Sequence, residues 1–258
     1  MSVQYKTRPF EVGGTRDGRS LITGGMVLSL CALLLLVAAG PGTRFGLWHF
    51  RTGFAIIRVA AYGGIAAGVV DLVALFSAIN IKGRRALGVA VALVALMFAV
   101  TAVVVPFSWK RAAEQVPPIH DISTDLDAPP RFIAILPLRL GAANPVEYGG
   151  PEVAAQQRQA YPDLKTLVLD IPATEAFAKA LAAARRLHWS IVAEAPDEGR
   201  IEATDTTFWF GFKDDIVIRI TQAEKHARVD VRSLSRVGGS DVGTNARRIR
   251  TFLNMLTS

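Results

Sequence analysis

The chain has 258 residues, 51% of them hydrophobic, with 29 Lys+Arg against 22 Asp+Glu and a net charge of +7. Residues 1–119 carry +8 and residues 120–258 carry −1, so the basic character belongs to the apolar half and argues against a nucleic-acid partner. A single Cys excludes a disulfide framework and any zinc site built on two or more thiolates.

The chain opens on a basic leader with Lys6, Arg8, Arg16 and Arg19. Three apolar runs follow, over about 21–40, 54–79 and 86–105. The first and third hold no charge, and the second holds Arg58 and Asp71. About 20 apolar residues at 1.5 Å each cross the roughly 30 Å hydrocarbon layer, and only a helix satisfies its own backbone there. Residues 1–115 therefore read as a three-helix transmembrane anchor. The first run has an alternative reading as a signal peptide cleaved after Ala39, because Val37-Ala38-Ala39 are small residues behind a basic leader.

Orientation follows from Lys and Arg near the helix ends. The leader and the loop with Lys82, Arg84 and Arg85 share one side. Arg44, Arg51, Lys110 and Arg111 share the other. The excess on the first side predicts an integral plasma-membrane (inner-membrane) protein with a cytoplasmic N-terminus and its C-terminal domain outside. Trp48, Phe50, Phe107 and Trp109 then form an outer aromatic belt.

On the second helix Ala61, Gly64, Gly68, Asp71, Ala74 and Ala78 share a face, and Gly64 and Gly68 form a small-xxx-small pair. This face is expected against the first and third helices or a second copy of the chain, with Gly25, Ser29 and Ala32 as a matching face on the first. Asp71 costs about 2.5–3.5 kcal/mol to place in a bilayer. It reads either as a hydrogen bond between helices, with Ser29 as partner, or as an ion or proton relay. Arg58 is expected to reach for the interface, and Cys31 to be packing.

Residues 116–165 read as an extended tether and irregular segment. Pro117, Pro118, Pro129 and Pro130 forbid regular structure there, apart from a short strand at 132–136 and a short helix at 152–159. Residues 166–258 read as an α+β two-layer domain. Strands are expected at 166–170, 189–194, 200–210, 215–221 and 227–234, with amphipathic helices at 172–187 and 241–256. Short turns join the last four strands into an antiparallel meander, with both helices on one sheet face. Alternation puts Ile216, Ile218, Ile220, Val229 and Val231 on that face and Glu202, Thr204, Arg219, Asp230 and Arg232 on the other. The second face is expected to be solvated and ion-paired, with a polar binding surface as the alternative.

The run from Arg200-Ile-Glu-Ala-Thr-Asp-Thr-Thr-Phe-Trp-Phe-Gly-Phe-Lys-Asp-Asp215 to Asp230-Val-Arg-Ser-Leu-Ser-Arg-Val-Gly-Gly-Ser-Asp-Val-Gly-Thr-Asn-Ala-Arg-Arg-Ile249 resembles the Domain of Unknown Function 1499 family. Residues 117–125 (Pro-Pro-Ile-His-Asp-Ile-Ser-Thr-Asp) and 161–164 (Tyr-Pro-Asp-Leu) are similar to its earlier blocks. The resemblance covers about 117–256. It implies membrane anchoring, which is frequent in the family, and no established reaction, so no catalytic residue is carried over.

The remaining motifs are weak. Gly238–Gly243 precedes a helix, but Asp241 already supplies an anion to its first turn and is expected to cap it. Thr244 stands where a P-loop needs Lys, and Val242 stands where a nucleophile elbow needs Gly. Asp230, Arg232, Arg236, Asp241, Asn245 and Arg248 cluster in sequence near the last strand and closing helix. They read as a buried network in which Asp230, Asp241 and Asn245 hold the arginines, or as a cationic pocket for a phosphate or carboxylate. Asp214-Asp215 is a weak calcium signal, and His49, His120, His188 and His226 lack metal spacing. No metal or cofactor is expected. The expected function is a non-enzymatic envelope protein binding a partner protein or a lipid-like or anionic ligand. The alternatives are a hydrolase pairing Asp230 or Asp241 with Ser235 or Ser240, and an ion-coupled transporter centred on Asp71.

Overall fold

The computed structural model describes residues 14–80 and 85–257. Lys6, Arg8, Lys82 and Arg84, which carry much of the orientation argument, lie outside the described residues. The chain divides into two compact units, Met1–Ser108 and Trp109–Ser258.

Three long helices, α1 (Gly14–Arg44), α2 (Phe50–Asn80) and α3 (Arg85–Glu114), open the chain. Each holds a stretch long and apolar enough to cross a membrane, over Gly18–Arg44, Phe50–Ile79 and Ala86–Glu114. The helices outrun the expected spans, and α1 and α3 continue through Pro41 and Pro106. A helix in hydrocarbon has no better use for its backbone groups, so a proline costs it one bond without ending it.

The helices meet through small residues. Ser29, Ala32, Leu36 and Ala39 are buried on α1, Ala60, Ala67, Asp71, Ala74 and Ala78 on α2, and Ala92, Ala95, Ala99 and Ala102 on α3. A Cβ on Gly64 would stand 3.0 Å from both the Ala99 carbonyl oxygen and the Ala102 Cβ, so α2 and α3 approach there almost to backbone contact. The Gly64/Gly68 face is thus used within the chain, against α3. Large apolar residues such as Leu28, Leu34, Val59, Ile65, Phe76 and Met97 point outward. Cys31 is exposed on α1 rather than packed between helices.

The second unit is a six-stranded antiparallel sheet with helices on one face. In chain order it comprises β1 (Asp121–Ser123), α4 (Gly150–Ala160), β2 (Leu167–Leu169), α5 (Ala173–Arg186), β3 (Ser190–Ala195), β4 (Arg200–Thr206), β5 (Lys213–Ala223), β6 (His226–Ser235) and α6 (Thr244–Thr257). The strand order is β1-β6-β5-β4-β3, and β2 also pairs with β6. The turn from β3 to β4 closes on Gly199, with φ of 62°. A Cβ there would lie 2.0 Å from the Ile220 carbonyl oxygen, so only glycine fits.

α5 and α6 lay Ala176, Ala180, Ala184, Ile249 and Phe252 over Ile201, Ile216, Ile218, Val229 and Val231. Trp189 stacks on Phe252 at 5.4 Å. Burial of such aromatic and aliphatic side chains, about 1.5–3 kcal/mol each, is the main drive for this layer.

Two expectations fail here. Residues 116–165 are not a free tether. Asp121, Ile122 and Ser123 pair with Leu234, Ser233 and Arg232 as an edge strand. On α4, Gln157 accepts from the Ser123 N–H at 3.0 Å and donates to its carbonyl at 2.6 Å. One amide side chain thus stands in for a strand partner on an edge that would otherwise be open. The second sheet face, moreover, is not solvated. The segment 124–148 roofs it, packing Phe132 and Ile135 on Val217 and Leu234. No strand forms at 132–136, because three consecutive N–H groups there turn to a side chain. Ile133, Ala134 and Ile135 donate to the Glu202 carboxylate at 2.9–3.1 Å.

Candidate binding groove

Roofing the polar face buries charge, and every buried carboxylate on it has a cationic partner. Glu202, fully buried, pairs with Arg200 besides its three N–H donors. Asp215 accepts from Arg139 Nη1 at 2.6 Å, from Arg236 Nε and Nη2 at 2.9 and 2.8 Å, and from the Thr204 hydroxyl at 2.8 Å. Asp121 holds Arg232 through two parallel bonds, and Arg232 lies against the Phe132 and Tyr148 rings. Burial raises the Asp121 pKa in spite of Arg232, and burial pushes the Tyr148 phenol up to about 12.

The six residues expected to act together are split by the sheet. Arg232 and Arg236 lie on the roofed face. Asn245 and Arg248 lie on the helix face, where Asn245 donates to Ser235 Oγ and the His120 carbonyl, and Arg248 donates to Asp205 and Asp214 at 2.9 and 2.7 Å. Of the expected holders, Asn245 alone meets an arginine of the set, Arg248. Asp230 binds Arg219 instead, and Asp241 caps α6, accepting from Gly243 N–H at 2.7 Å and Asn245 N–H at 2.9 Å. Burial raises the Asp241 pKa, partly offset by those two N–H donors. Asp214 and Asp215 face opposite sides of the sheet, each bound by arginine. Ser240 Oγ accepts from the Val242 N–H and Ser235 Oγ from the Asn245 amide, and among the described residues neither hydroxyl is bonded to a His or Asp side chain.

In the first unit, the Ser29 hydroxyl donates to Asp71 Oδ2 at 2.5 Å, with both side chains buried. Asp71 Oδ1 has no partner among the described residues. It sits where a Cβ on Gly25 would be, at 2.2 Å.

The sequence reading missed a concave site. Residues 124–127, the stretch 161–166 and Arg228 of β6 enclose a groove of about 520 Å³, within the roughly 300–1,000 Å³ usual for small-molecule sites. Behind it Asp230 accepts from the Thr124 and Thr166 hydroxyls at 3.2 and 2.5 Å, and from Arg219 at 2.8 Å. Arg219 also reaches Asp125 at 2.8 Å. Burial tends to raise the Asp125 pKa, but the Ala128 N–H, Arg219 and the Asp127 N–H outweigh it and hold this carboxylate below its usual range. On the rim, Arg158 pairs with Asp127 at 2.9 Å, whereas Lys165 and Arg228 are exposed and make no ion pair among the described residues. The signal for this groove was already in the chain. The two short blocks at 117–125 and 161–164, more than thirty residues apart, both end at it.

A family model described as "Protein of unknown function (DUF1499)" matches residues 121–256, from the first residue of β1 to the last turn of α6. The chain belongs to this family. No curated protein matches it. The matched stretch includes the roof segment and α4, so the DUF1499 domain starts at the edge strand and takes in 45 residues of the supposed tether, 121–165.

Proposed function

We propose that this DUF1499 protein is a membrane-held, non-enzymatic binding module whose groove takes an anionic, lipid-like ligand. The observation that carries the reading is the contrast between Lys165 and Arg228, exposed on the groove rim and without an ion pair among the described residues, and Arg219, Arg232, Arg236 and Arg248, which carboxylates hold. A ligand phosphate or carboxylate would gain charge-assisted bonds from the rim cations without breaking an existing pair. The Thr124 and Thr166 hydroxyls are already committed to Asp230, so the groove wall is set for holding rather than for proton transfer. The domain follows directly on a helix apolar enough to cross a membrane, which favours a ligand drawn from or delivered to the bilayer. The Lys and Arg distribution supports a cytoplasmic N-terminus and a domain outside the plasma membrane.

The test is thermal unfolding of the full chain in mild detergent with inorganic phosphate or a short-chain anionic phospholipid. A ligand at 100 times its Kd stabilises by about 2.7 kcal/mol. The phospholipid should raise Tm in a saturable way, and a Lys165→Ala/Arg228→Ala double variant should lose the rise while keeping its own Tm. A response to phosphate alone would mark a free-anion site instead. No response, or one that survives the double variant, would refute the groove.

A further inference from the structure

The turn between β4 and β5, residues 207–212, reads Thr-Phe-Trp-Phe-Gly-Phe, four aromatic side chains in six positions. It is a built turn. The Thr207 N–H donates to the Phe212 carbonyl at 2.8 Å, the Gly211 N–H to the Thr207 carbonyl at 3.0 Å, and the Phe212 N–H to Thr207 Oγ1 at 2.9 Å. Phe210 and Phe212 stack at 5.1 Å with their planes 8° apart, and Trp209 meets Phe210 edge-on at 5.0 Å. Within the turn Phe208 is 89% exposed.

A single exposed phenylalanine is ordinary on a protein surface. Its neighbourhood is what distinguishes this one. Trp209 packs on Trp109 at 4.8 Å. Trp109 lies on α3 near the end of Ala86–Glu114, the stretch long and apolar enough to cross a membrane. Tryptophan at the end of such a helix sits at headgroup depth, its ring half in hydrocarbon and its N–H in the wet layer. Trp209, in contact with it, then lies at the same depth. Its chain neighbour is the exposed Phe208, and Lys213, exposed at the start of β5, is placed for lipid phosphates.

We infer that the β4–β5 turn is a membrane-interface anchor, with Phe208 inserted into the headgroup layer beside an aromatic pair formed by Trp109 and Trp209. The occupant is the bilayer itself. The turn would anchor in this way whether or not the groove binds a ligand, and on either side of the membrane. It also has a built-in reference: β5 runs 11 residues from this turn to the one at Glu224 and Lys225, and at about 3.4 Å per residue the two ends of the sheet stand roughly 35 Å apart.

The full chain carrying Cys31→Ser is made with either Phe208→Cys or Lys225→Cys, labelled with an environment-sensitive fluorophore and reconstituted in phosphatidylcholine vesicles free of other protein. At position 208 the emission should shift to shorter wavelength, be quenched by lipids bearing a nitroxide high on the acyl chain, and resist iodide. At 225 it should stay water-like and be quenched by iodide. Phe208 is so exposed that its replacement leaves the fold intact, which circular dichroism of both variants checks. Equal iodide access at the two positions, or equal quenching by labelled lipid, would overturn the inference.

Discussion

Arg232 on β6 and Asp121 on β1, 111 positions apart in the chain, face each other in a two-point ion pair. Nε–Oδ1 is 2.9 Å, Nη2–Oδ2 is 2.8 Å, and the side chains are 4% and 5% exposed. The pair ties the edge strand to the roof, because Arg232 also donates to the Pro130 and Val146 carbonyls at 3.3 and 2.7 Å. Removing one member strands a buried charge. Arg232→Ala should therefore cost about 3–5 kcal/mol, a large share of the roughly 5–15 kcal/mol that holds a typical domain together. Thermal unfolding of the full chain in detergent should show the loss. Replacing the pair together, Asp121→Leu with Arg232→Met, should recover most of it, since no lone charge remains. A single variant as stable as the wild type would mean that water reaches Asp121.

Ser29 and Asp71 make a prediction of a different size. Hydrogen bonds between membrane helices are worth about 0.6 kcal/mol on average, so Ser29→Ala should lower stability only slightly. Asp71→Asn should match the wild type, because the amide still accepts from Ser29. Gly25→Val should be far worse than either, since its side chain would occupy the space of Asp71 Oδ1. Unfolding of the purified chain in detergent ranks the three. A large loss in Asp71→Asn would point to a role for the charge beyond packing and revive the relay reading.

The membrane half was legible because hydrocarbon leaves the backbone one solution, and because small residues and Asp71 fall on faces that can be counted out at helical spacing. The C-terminal strands and helices were legible for a similar reason: Ile216, Ile218 and Ile220 alternate, and α6 repeats apolar residues every three or four. Alternation says which residues share a face but not what lies over it. Alternation alone leaves Glu202, Asp230 and Arg232 on a water-facing surface, because their cover, 124–148, has no periodicity and binds through backbone N–H groups and carbonyls. β1 escaped for a related reason. Three residues behind two prolines show no pattern, and their partner is a strand more than 100 residues away. The groove escaped because it joins two loops and a strand end that only the fold brings together.

The orientation is decided by a reporter that is active only outside the cytoplasm. Fused after Ser258 it should be active, and inserted at Gly83 it should be silent. Arg44, Arg51, Lys110 and Arg111 make four on one side against seven from the leader (Lys6, Arg8, Arg16 and Arg19) and the loop with Lys82, Arg84 and Arg85, and the side richer in Lys and Arg stays inside. The reverse pattern would put the DUF1499 domain in the cytoplasm without changing its groove.

Asp241 makes stability depend on pH in a direction that can be isolated. Burial holds its native pKa above the usual carboxylate range, against the pull of the Asn245 and Gly243 N–H groups. Folding therefore favours the protonated acid. The stability this group contributes is complete below the unfolded pKa of about 3.9 and is lost as the pH rises through the higher native value. Asn caps a helix about as well as Asp, so Asp241→Asn keeps an acceptor for the α6 N–H groups and removes only the titration. Asp125 and Asp163 behave oppositely. Arg250 holds Asp163 below the usual range, so its contribution is lost on acidification, but that loss is common to both proteins and cancels in their difference. The Tm of Asp241→Asn minus that of the wild type should therefore increase from pH 4 to pH 7. Asp241→Ala, which removes the cap altogether, should fall below Asp241→Asn by about 1 kcal/mol at every pH. A difference between Asn and wild type that shrinks as the pH rises would mean that the helix N-terminus stabilises the ionised carboxylate more than burial penalises it.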